Sequence, residues 1–236
     1  MKKAAIMLYP MFSMQEISCL TELFKFDDKE IVTFSADGKP VKSEDGFTIL
    51  PDRPFEEFCR DEVDCLVLPG IWEPLPVLLD GRNLRFLEQF QGDEDLVIGS
   101  ISSSPLLLGK AGLLTGRRFC HGVFEEFIDA FPVLPREGVV RAKLVEDGSL
   151  VTACGEAFRE FAAAVARKVG LDYPDTVFTG VAGRNFTEEE CTYRLPPEML
   201  EEARADWERC LREAEKFFEK PIDLDAASWS IFIGRR

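Results

Sequence analysis

The sequence predicts an α/β fold with a doubly wound, mostly parallel sheet of flavodoxin-like architecture and a helical C-terminal extension. Short apolar runs, which are typical of buried parallel strands, alternate with segments of helical periodicity. One of these runs, 96–101, leads through three serines directly into a helical segment, and a separate amphipathic helix pattern follows near the C-terminus. We therefore assign residues 1–172 to the α/β domain and residues 173–236 to the extension.

The elements of the domain follow in order along the chain. Buried strands are predicted at 3–9, 30–35, 63–68 and 96–101, a hairpin at 139–145 and 150–153, and shorter strands at 40–42, 47–50 and 119–120. Helices are predicted at 14–26, 75–91, 105–112, 123–131 and 156–169, with a helical turn at 54–59 and a candidate break at Gly81.

The extension begins with a loop-like segment to residue 197 and continues as a helix to about residue 220. The apolar side chains of this helix recur along one stripe: Met199, Ala203, Trp207, Cys210, Ala214 and Phe217. Such a stripe must be buried against the chain's own domain or against a partner subunit. We expect it to pack on the chain's own domain.

The turn after the strand at 96–101 is the first candidate site. Ser102, Ser103 and Ser104 follow the strand, and Pro105 opens the next helix, a pattern typical of a helix start. A side chain at Ser102 therefore lies at the carboxyl edge of the sheet and faces the positive end of a helix. Ligands and nucleophiles of α/β proteins are found at this position.

This stretch resembles the nucleophile-elbow segment of the ThiJ/PfpI superfamily, whose fold is similar to that of class I glutamine amidotransferases. The family pattern is Cys-x-Gly, an apolar helix ending in Ala-Gly-Leu-Leu, then Gly-Arg-Arg and a step like Thr-x-His. The corresponding segments are 102–104, 111–114, 116–118 and 119–121, and the resemblance extends from Lys2 to about Gly170. It implies that the family's cysteine position is occupied by Ser102.

The resemblance implies two partners for Ser102. Glu16 stands where the family has an acidic residue that shares a hydrogen bond with the elbow cysteine; the alternative is that it only complements the dipole of its own helix. His121, the single histidine, lies 19 residues after Ser102, where the family has a histidine near the nucleophile. A lone histidine is also often structural, so both interpretations stay open.

The loop 69–72 supplies the other candidate ligand-binding residues, together with Ser103. The family usually has Pro-Gly-Gly there, and a backbone N–H near the second glycine helps to hold a developing oxyanion. This chain has Pro69, Gly70 and Ile71, and a β-branched residue resists unusual backbone angles, which puts the oxyanion site in question. Trp72 either closes over a ligand or anchors the loop.

The charge and the cysteine content indicate which partners and which compartment suit this protein. The net charge is -15, from 43 acidic and 28 basic side chains, which disfavours nucleic acids and anionic membranes as partners. The seven cysteines are scattered and form no CxxC, so we expect reduced thiols in a cytoplasm, no metal and no cofactor. The resemblance implies a homodimer and a small-molecule ligand.

Three functions follow as hypotheses. The first is an elbow pocket that has lost thiol catalysis and at most binds a small metabolite. The second is a serine-dependent hydrolase or lyase, of amidase, isonitrile hydratase or glyoxalase-like type, with Ser102 as nucleophile, His121 as base and Glu16 orienting or donating a proton. The third is a ligand-sensing or interaction module. A weaker alternative has Cys120 replace the missing thiol.

Overall fold

The computed structural model describes residues 2–174, 177–178 and 187–218, with the side chains of the last helix described to residue 213. Within these residues the strands are β1 Lys3–Met7, β2 Ile31–Ser35, β3 Val41–Lys42, β4 Thr48–Ile49, β5 Arg53–Pro54, β6 Val63–Leu68, β7 Val97–Ile101, β8 Leu144–Asp147 and β9 Leu150–Ala153. The α-helices are α1 Gln15–Phe26, α2 Pro74–Leu79, α3 Gly81–Glu88, α4 Pro105–Lys110, α5 Glu125–Ala130, α6 Phe158–Lys168 and α7 Pro197–Phe218.

Seven strands form the central sheet in the order β5-β2-β1-β6-β7-β9-β8, and β3 and β4 form a separate hairpin. All neighbours in the central sheet are parallel except β8 and β9. Helix α6 packs against α1 and against β7 and β9, while α2 contacts α3, α4 and α7. The predicted fold class, a mostly parallel sheet flanked by helices with a helical extension, is therefore confirmed.

The central strands are apolar on both faces because helices cover the sheet. All five residues of β7 are buried, as are the last four residues of β1 and of β6. This pattern is expected of parallel strands, whose crossover helices leave neither face to water. The carboxyl ends of β1, β6 and β7 consequently lie side by side at one edge, where the loops after them meet.

The predicted helix at 75–91 is two helices, as the candidate break at Gly81 suggested. Asp80 separates α2 from α3 and caps α3 by accepting a hydrogen bond from the backbone N–H of Arg82 at 3.0 Å. The predicted hairpin is shorter than expected, because Val140 donates to the carbonyl of Phe119 at 2.7 Å and only β8, from Leu144, pairs with β9. The predicted strand at 119–120 is reduced to one bridge, between Phe119 and Val139.

The apolar stripe of α7 packs on the domain in its middle part. Trp207 lies edge-on to Phe127 with ring centroids 5.4 Å apart, and Cys210 contacts the hydrophobic core. Met199 is 50% exposed, so the stripe is not buried at its beginning. The side chains of Ala214 and Phe217 lie outside the described residues. Within the part of the chain that the structure describes, no helix combines the length and apolarity of a membrane span.

Candidate active site

Ser102 stands at a strained turn between β7 and α4. Its φ is 63°, in the left-handed region that non-glycine residues rarely adopt. The backbone N–H of Ser102 donates to the carbonyl of Ala153 at 2.8 Å, which continues the β7–β9 ladder by one residue. A strained strand-to-helix turn is the conformation that presents a nucleophile at the top of an α/β sheet. The backbone at Ser102 therefore has the geometry of a nucleophile elbow.

Glu16 reaches Ser102 from the first turn of α1. The Glu16 carboxyl lies beside the Ser102 hydroxyl, and the N–H of Gly70 donates to Glu16 Oε2 at 2.8 Å. Burial raises the pKa of Glu16 from 4.5 to about 7, and the negative charges of Glu44 and Glu156 also raise this pKa, whereas the Ser102 hydroxyl and the Gly70 N–H lower it. A carboxyl group that titrates near neutral pH can donate or accept a proton there.

Two glycines let the backbone approach this carboxyl group. A Cβ at Gly70 would lie 2.0 Å from Glu16 Oε2, and a Cβ at Gly155 would lie 2.6 Å from Glu16 Oε1 and 3.3 Å from Ser102 Oγ. Any larger residue at either position would have to displace the Glu16 side chain. Glu16, Gly70, Ile71, Ser102 and Ser103 are called the elbow site below.

Ile71 and Ser103 are joined by two hydrogen bonds. The N–H of Ile71 donates to Ser103 Oγ at 2.8 Å, and the Ser103 hydroxyl donates to the carbonyl of Ile71 at 2.7 Å. Ile71 is buried and forms a bridge with Phe12, so it takes an extended conformation that suits a β-branched residue. Trp72 is 72% exposed and is not a buried anchor; its backbone N–H holds the loop by donating to Met11.

His121 is buried close to the elbow but is not paired with it. Its Nδ1 accepts the N–H of Val123 at 3.2 Å, and its Nε2 lies 3.5 Å from Nη1 of Arg141. Burial and the Arg141 charge lower the pKa of His121 to about 4, so the ring is neutral at pH 7. Among the described residues no hydrogen bond joins His121 to Ser102 or to a carboxylate. Arg141 itself forms an ion pair with Glu125 at 2.5 Å.

A profile of the DJ-1/PfpI family matches residues 2–168. The chain belongs to this family. The structure of a DJ-1 superfamily protein from Agrobacterium tumefaciens aligns with a TM-score of 0.63 and 27% sequence identity, over 75% of this chain and 94% of that chain. The family and the fold implied by the sequence are thus confirmed, whereas the assignment of Ser102 to the family's cysteine position still rests on the sequence motif.

Relatives in the family carry different activity names. Isonitrile hydratase of Pseudomonas putida is 31% identical over 136 residues, which are 56% of this chain and 57% of that protein. A deglycase of Pyrococcus abyssi is 32% identical over 132 residues, which are 54% of this chain and 75% of that protein. DJ-1 protein homolog E of Arabidopsis thaliana is matched over 29% of its length at 28% identity. The chain thus spans less than two thirds of two of these relatives.

Cys120 is part of the core of this family domain. It is 1% exposed, its N–H donates to Thr152 Oγ1 at 2.9 Å, and its thiol donates to the carbonyl of Thr152 at 3.2 Å. The thiol therefore faces β9 and is withdrawn from solvent. This environment is typical of a structural cysteine.

The described part of the extension contacts residues beside the elbow site. The Tyr193 hydroxyl donates to Glu156 Oε2 at 2.7 Å, and the N–H of Glu125 donates to the carbonyl of Tyr193 at 3.0 Å. Glu156 is one of the carboxylates that raise the pKa of Glu16, so the extension reaches the electrostatic environment of the elbow.

A separate cavity of about 260 Å³ lies at the other end of β7 and β9. Two of its charged lining residues are already paired: Arg117 with Asp147 and Asp93 with Arg60. It is remote from Ser102, because it is lined at the beginning of β7 by Ile98.

Sequence reasoning missed Glu44, Glu156, Arg141 and the role of Gly155. The segment 152–155 before α6 reads Thr-Ala-Cys-Gly and carries the signal for Gly155, since a glycine at a strand end often marks a close backbone approach. The other three residues carry no such signal, because charged residues are frequent throughout the chain.

Proposed function

We propose that the elbow site binds a small metabolite and performs no thiol catalysis. The observation that supports this most directly is that the side chain at the elbow is a serine hydroxyl that lies beside the Glu16 carboxyl and forms no hydrogen bond with the His121 imidazole. A serine becomes a nucleophile only beside a positioned base. His121 faces Arg141 and has a pKa of about 4, so it is poorly suited to that task.

The binding can be tested with Ser102→Leu, which fills the space at the elbow. Methylglyoxal, a short alkyl isonitrile and a small amide are suitable probes, since relatives are named as a deglycase and an isonitrile hydratase. We expect at least one probe to raise the melting temperature of the wild type without being consumed, and to lose that effect with Ser102→Leu. Ser18→Leu, the same change at an exposed position on α1, is the control. An equal shift in both variants, or steady turnover by the wild type, would contradict the proposal.

Thiol chemistry itself is tested with Ser102→Cys. If serine is the only missing part, the variant gains turnover of methylglyoxal or of an amide that the wild type lacks. If the new thiol reacts with iodoacetamide no faster than a free cysteine and nothing is turned over, the site lacks more than the sulfur atom of the family's cysteine. Either result is consistent with a wild type that binds without thiol catalysis, and the first also supports an intact ligand pocket.

A second function is favoured by the titration of Glu16. A carboxylate with a pKa of about 7 beside the Ser102 hydroxyl can act as general base at neutral pH. We therefore propose a serine hydrolase or hydratase as the alternative, in which Glu16, and not His121, is the base.

An active-site serine probe distinguishes this alternative. A fluorophosphonate should label the wild type increasingly as the pH rises through about 7, because the base is the ionised carboxyl group. Ser102→Ala and Glu16→Gln should abolish labelling, and His121→Asn should retain it. If His121→Asn also abolishes labelling, His121 is the base. If the wild type is not labelled, the serine hydrolase is ruled out and binding is the function.

We also propose that the protein acts as a homodimer in a reducing cytoplasm, as the family resemblance implies. Use as a ligand-sensing module would need a separate effector partner. Light scattering of the full chain tests the dimer: a monomer mass at micromolar concentration would contradict it.

A further inference from the structure

One hydroxyl group satisfies both backbone polar groups of Ile71. The bond from the Ile71 N–H to Ser103 Oγ is 2.8 Å long, and the bond from the Ser103 hydroxyl to the Ile71 carbonyl is 2.7 Å long. Ile71 is 5% exposed and Ser103 is 7% exposed, so water does not compete freely for these groups. The two residues come from the loops after β6 and after β7, and the bonds tie these loops together beside Ser102.

At an elbow of this kind, a backbone N–H from the neighbouring loop binds the ligand oxygen that carries or develops negative charge. The neighbouring loop here offers three successive N–H groups, and each one already has a protein acceptor. Gly70 donates to Glu16 at 2.8 Å, Ile71 to Ser103 at 2.8 Å and Trp72 to Met11 at 3.0 Å. Of the three acceptors, only Ser103 Oγ is on the residue adjacent to Ser102.

We propose that Ser103 determines the specificity of the elbow site by occupying, with its own hydroxyl, the place where the Ile71 N–H would bind a carbonyl or anionic oxygen of a ligand. The wild-type site thereby disfavours carboxylates and the tetrahedral oxyanions of acyl transfer. This inference rests on the proposed function only in that the elbow is taken as the ligand site.

Displacing the hydroxyl is unfavourable for a ligand. A ligand oxygen could replace Ser103 Oγ at the Ile71 N–H, but it would leave the buried Ile71 carbonyl without a donor. A buried carbonyl without a donor loses hydrogen-bond energy, which weakens the binding of such a ligand. The carboxylates of Glu44 and Glu156 act in the same direction, since they repel an incoming anion.

The experiment uses Ser102→Cys, which supplies a nucleophile, with and without Ser103→Ala. The thiolate attacks the carbonyl carbon of 4-nitrophenyl acetate, the C–S bond forms, and 4-nitrophenolate leaves with its electron pair; water then cleaves the thioester to acetate and the free thiol. Removal of one oxyanion donor from an enzyme lowers kcat by about 10²–10³. We expect the freed Ile71 N–H to raise kcat of the double variant at least about 10-fold above Ser102→Cys alone.

A matched variant serves as the control in the Ser102→Cys background. Ser104→Ala also removes a buried hydroxyl, which bonds to Ser100 Oγ at 2.7 Å and to the Leu68 carbonyl at 2.9 Å, but leaves the Ile71 N–H engaged. It should give no increase. If Ser103→Ala does not fold, Ser103→Gly is used in its place.

A second readout does not depend on activity. In Ser103→Ala, added sodium acetate should shift the amide resonance of Ile71, whereas in the wild type it should not. Equal kcat for the single and double variants, or an acetate shift of the wild-type Ile71 amide, would overturn the proposal. These outcomes are distinguishable from failure of the proposed function, which is read from the probes and from Ser102→Leu.

Discussion

Glu16 couples the elbow site to the pH dependence of folding. Burial raises its pKa from 4.5 to about 7, so the folded protein holds a proton on Glu16 that the unfolded chain releases. Since the folded pKa lies above the unfolded one, the stability that this group contributes is fully present below about pH 4.5. It is lost as the pH rises through about 7.

The corresponding prediction compares Glu16→Gln with the wild type. Glutamine keeps an oxygen for the Gly70 N–H but does not ionise. Between pH 5 and pH 8 the wild type should lose about 2–3 kcal/mol more of its free energy of unfolding than the variant. Urea denaturation at both pH values measures this, and Glu22→Gln, at an exposed position of the same helix, should behave as the wild type. A Glu16→Gln variant that keeps the wild-type pH dependence of unfolding would show that burial does not raise the pKa of this carboxyl group.

At the residue scale, the family resemblance predicted that Glu16 lies beside Ser102, and the structure places the two residues together. Their positions follow from the ends of two parallel strands, which topology places side by side. The bond between Ser103 and Ile71 was not predictable, because it depends on a side-chain rotamer and on a residue 32 positions away. Arg141 beside His121 was missed for the same reason: its partner is set by how the loop before β8 folds back on the core.

At the element scale, periodicity predicted the strands and helices of the domain better than their limits. Residues 63–68 form a strand with the predicted ends. All of them except Asp64 are buried, and this continuous apolar run indicates a strand. The predicted strand at 139–145 was wrong in its first half, where Val139 bridges to Phe119 and the ladder with β9 begins only at Leu144. Pairing of that kind is decided by tertiary contacts, which local propensity does not contain.

Helix α3 packs through Phe86 against a cluster of phenylalanines. Phe86 stacks on Phe55 at 4.0 Å and meets Phe58 and Phe90 edge-on at 5.1 and 5.4 Å. Phe86→Ala should lower the free energy of unfolding by about 3–5 kcal/mol, since it leaves a cavity among these rings. The neighbouring Arg85→Ala, on the exposed side of α3, should change it by less than about 0.5 kcal/mol. Similar losses in both variants would show that the cluster does not anchor the helix.

At the scale of the whole molecule, the described part of the extension packs on the domain through a small number of contacts. Trp207 packs edge-on against the rings of Phe127 and Phe131, with centroids 5.4 and 6.2 Å away, and the Tyr193 hydroxyl donates to Glu156 beside the elbow site. Trp207 is only partly buried, and most core residues belong to the sheet and to the helices before α7. Few buried contacts place a segment at the low end of local stability. Helix α7 should therefore open without unfolding of the sheet.

Trp207→Ala tests that independence. Loss of this half-buried indole should destabilise the docked helix by about 2 kcal/mol, less than the cost of truncating a fully buried aromatic residue. A change of that size accelerates hydrogen exchange about 30-fold for those α7 amides that exchange by local opening, and it should leave the amides of β7 unaffected. Arg204→Ala, on an exposed part of the same helix, is the control for helix propensity and should change neither set. If β7 exchanges faster in Trp207→Ala by the same factor as α7, the extension unfolds together with the domain. The contact between Tyr193 and Glu156 would then be a fixed part of the elbow environment, because no local opening of the extension could release it.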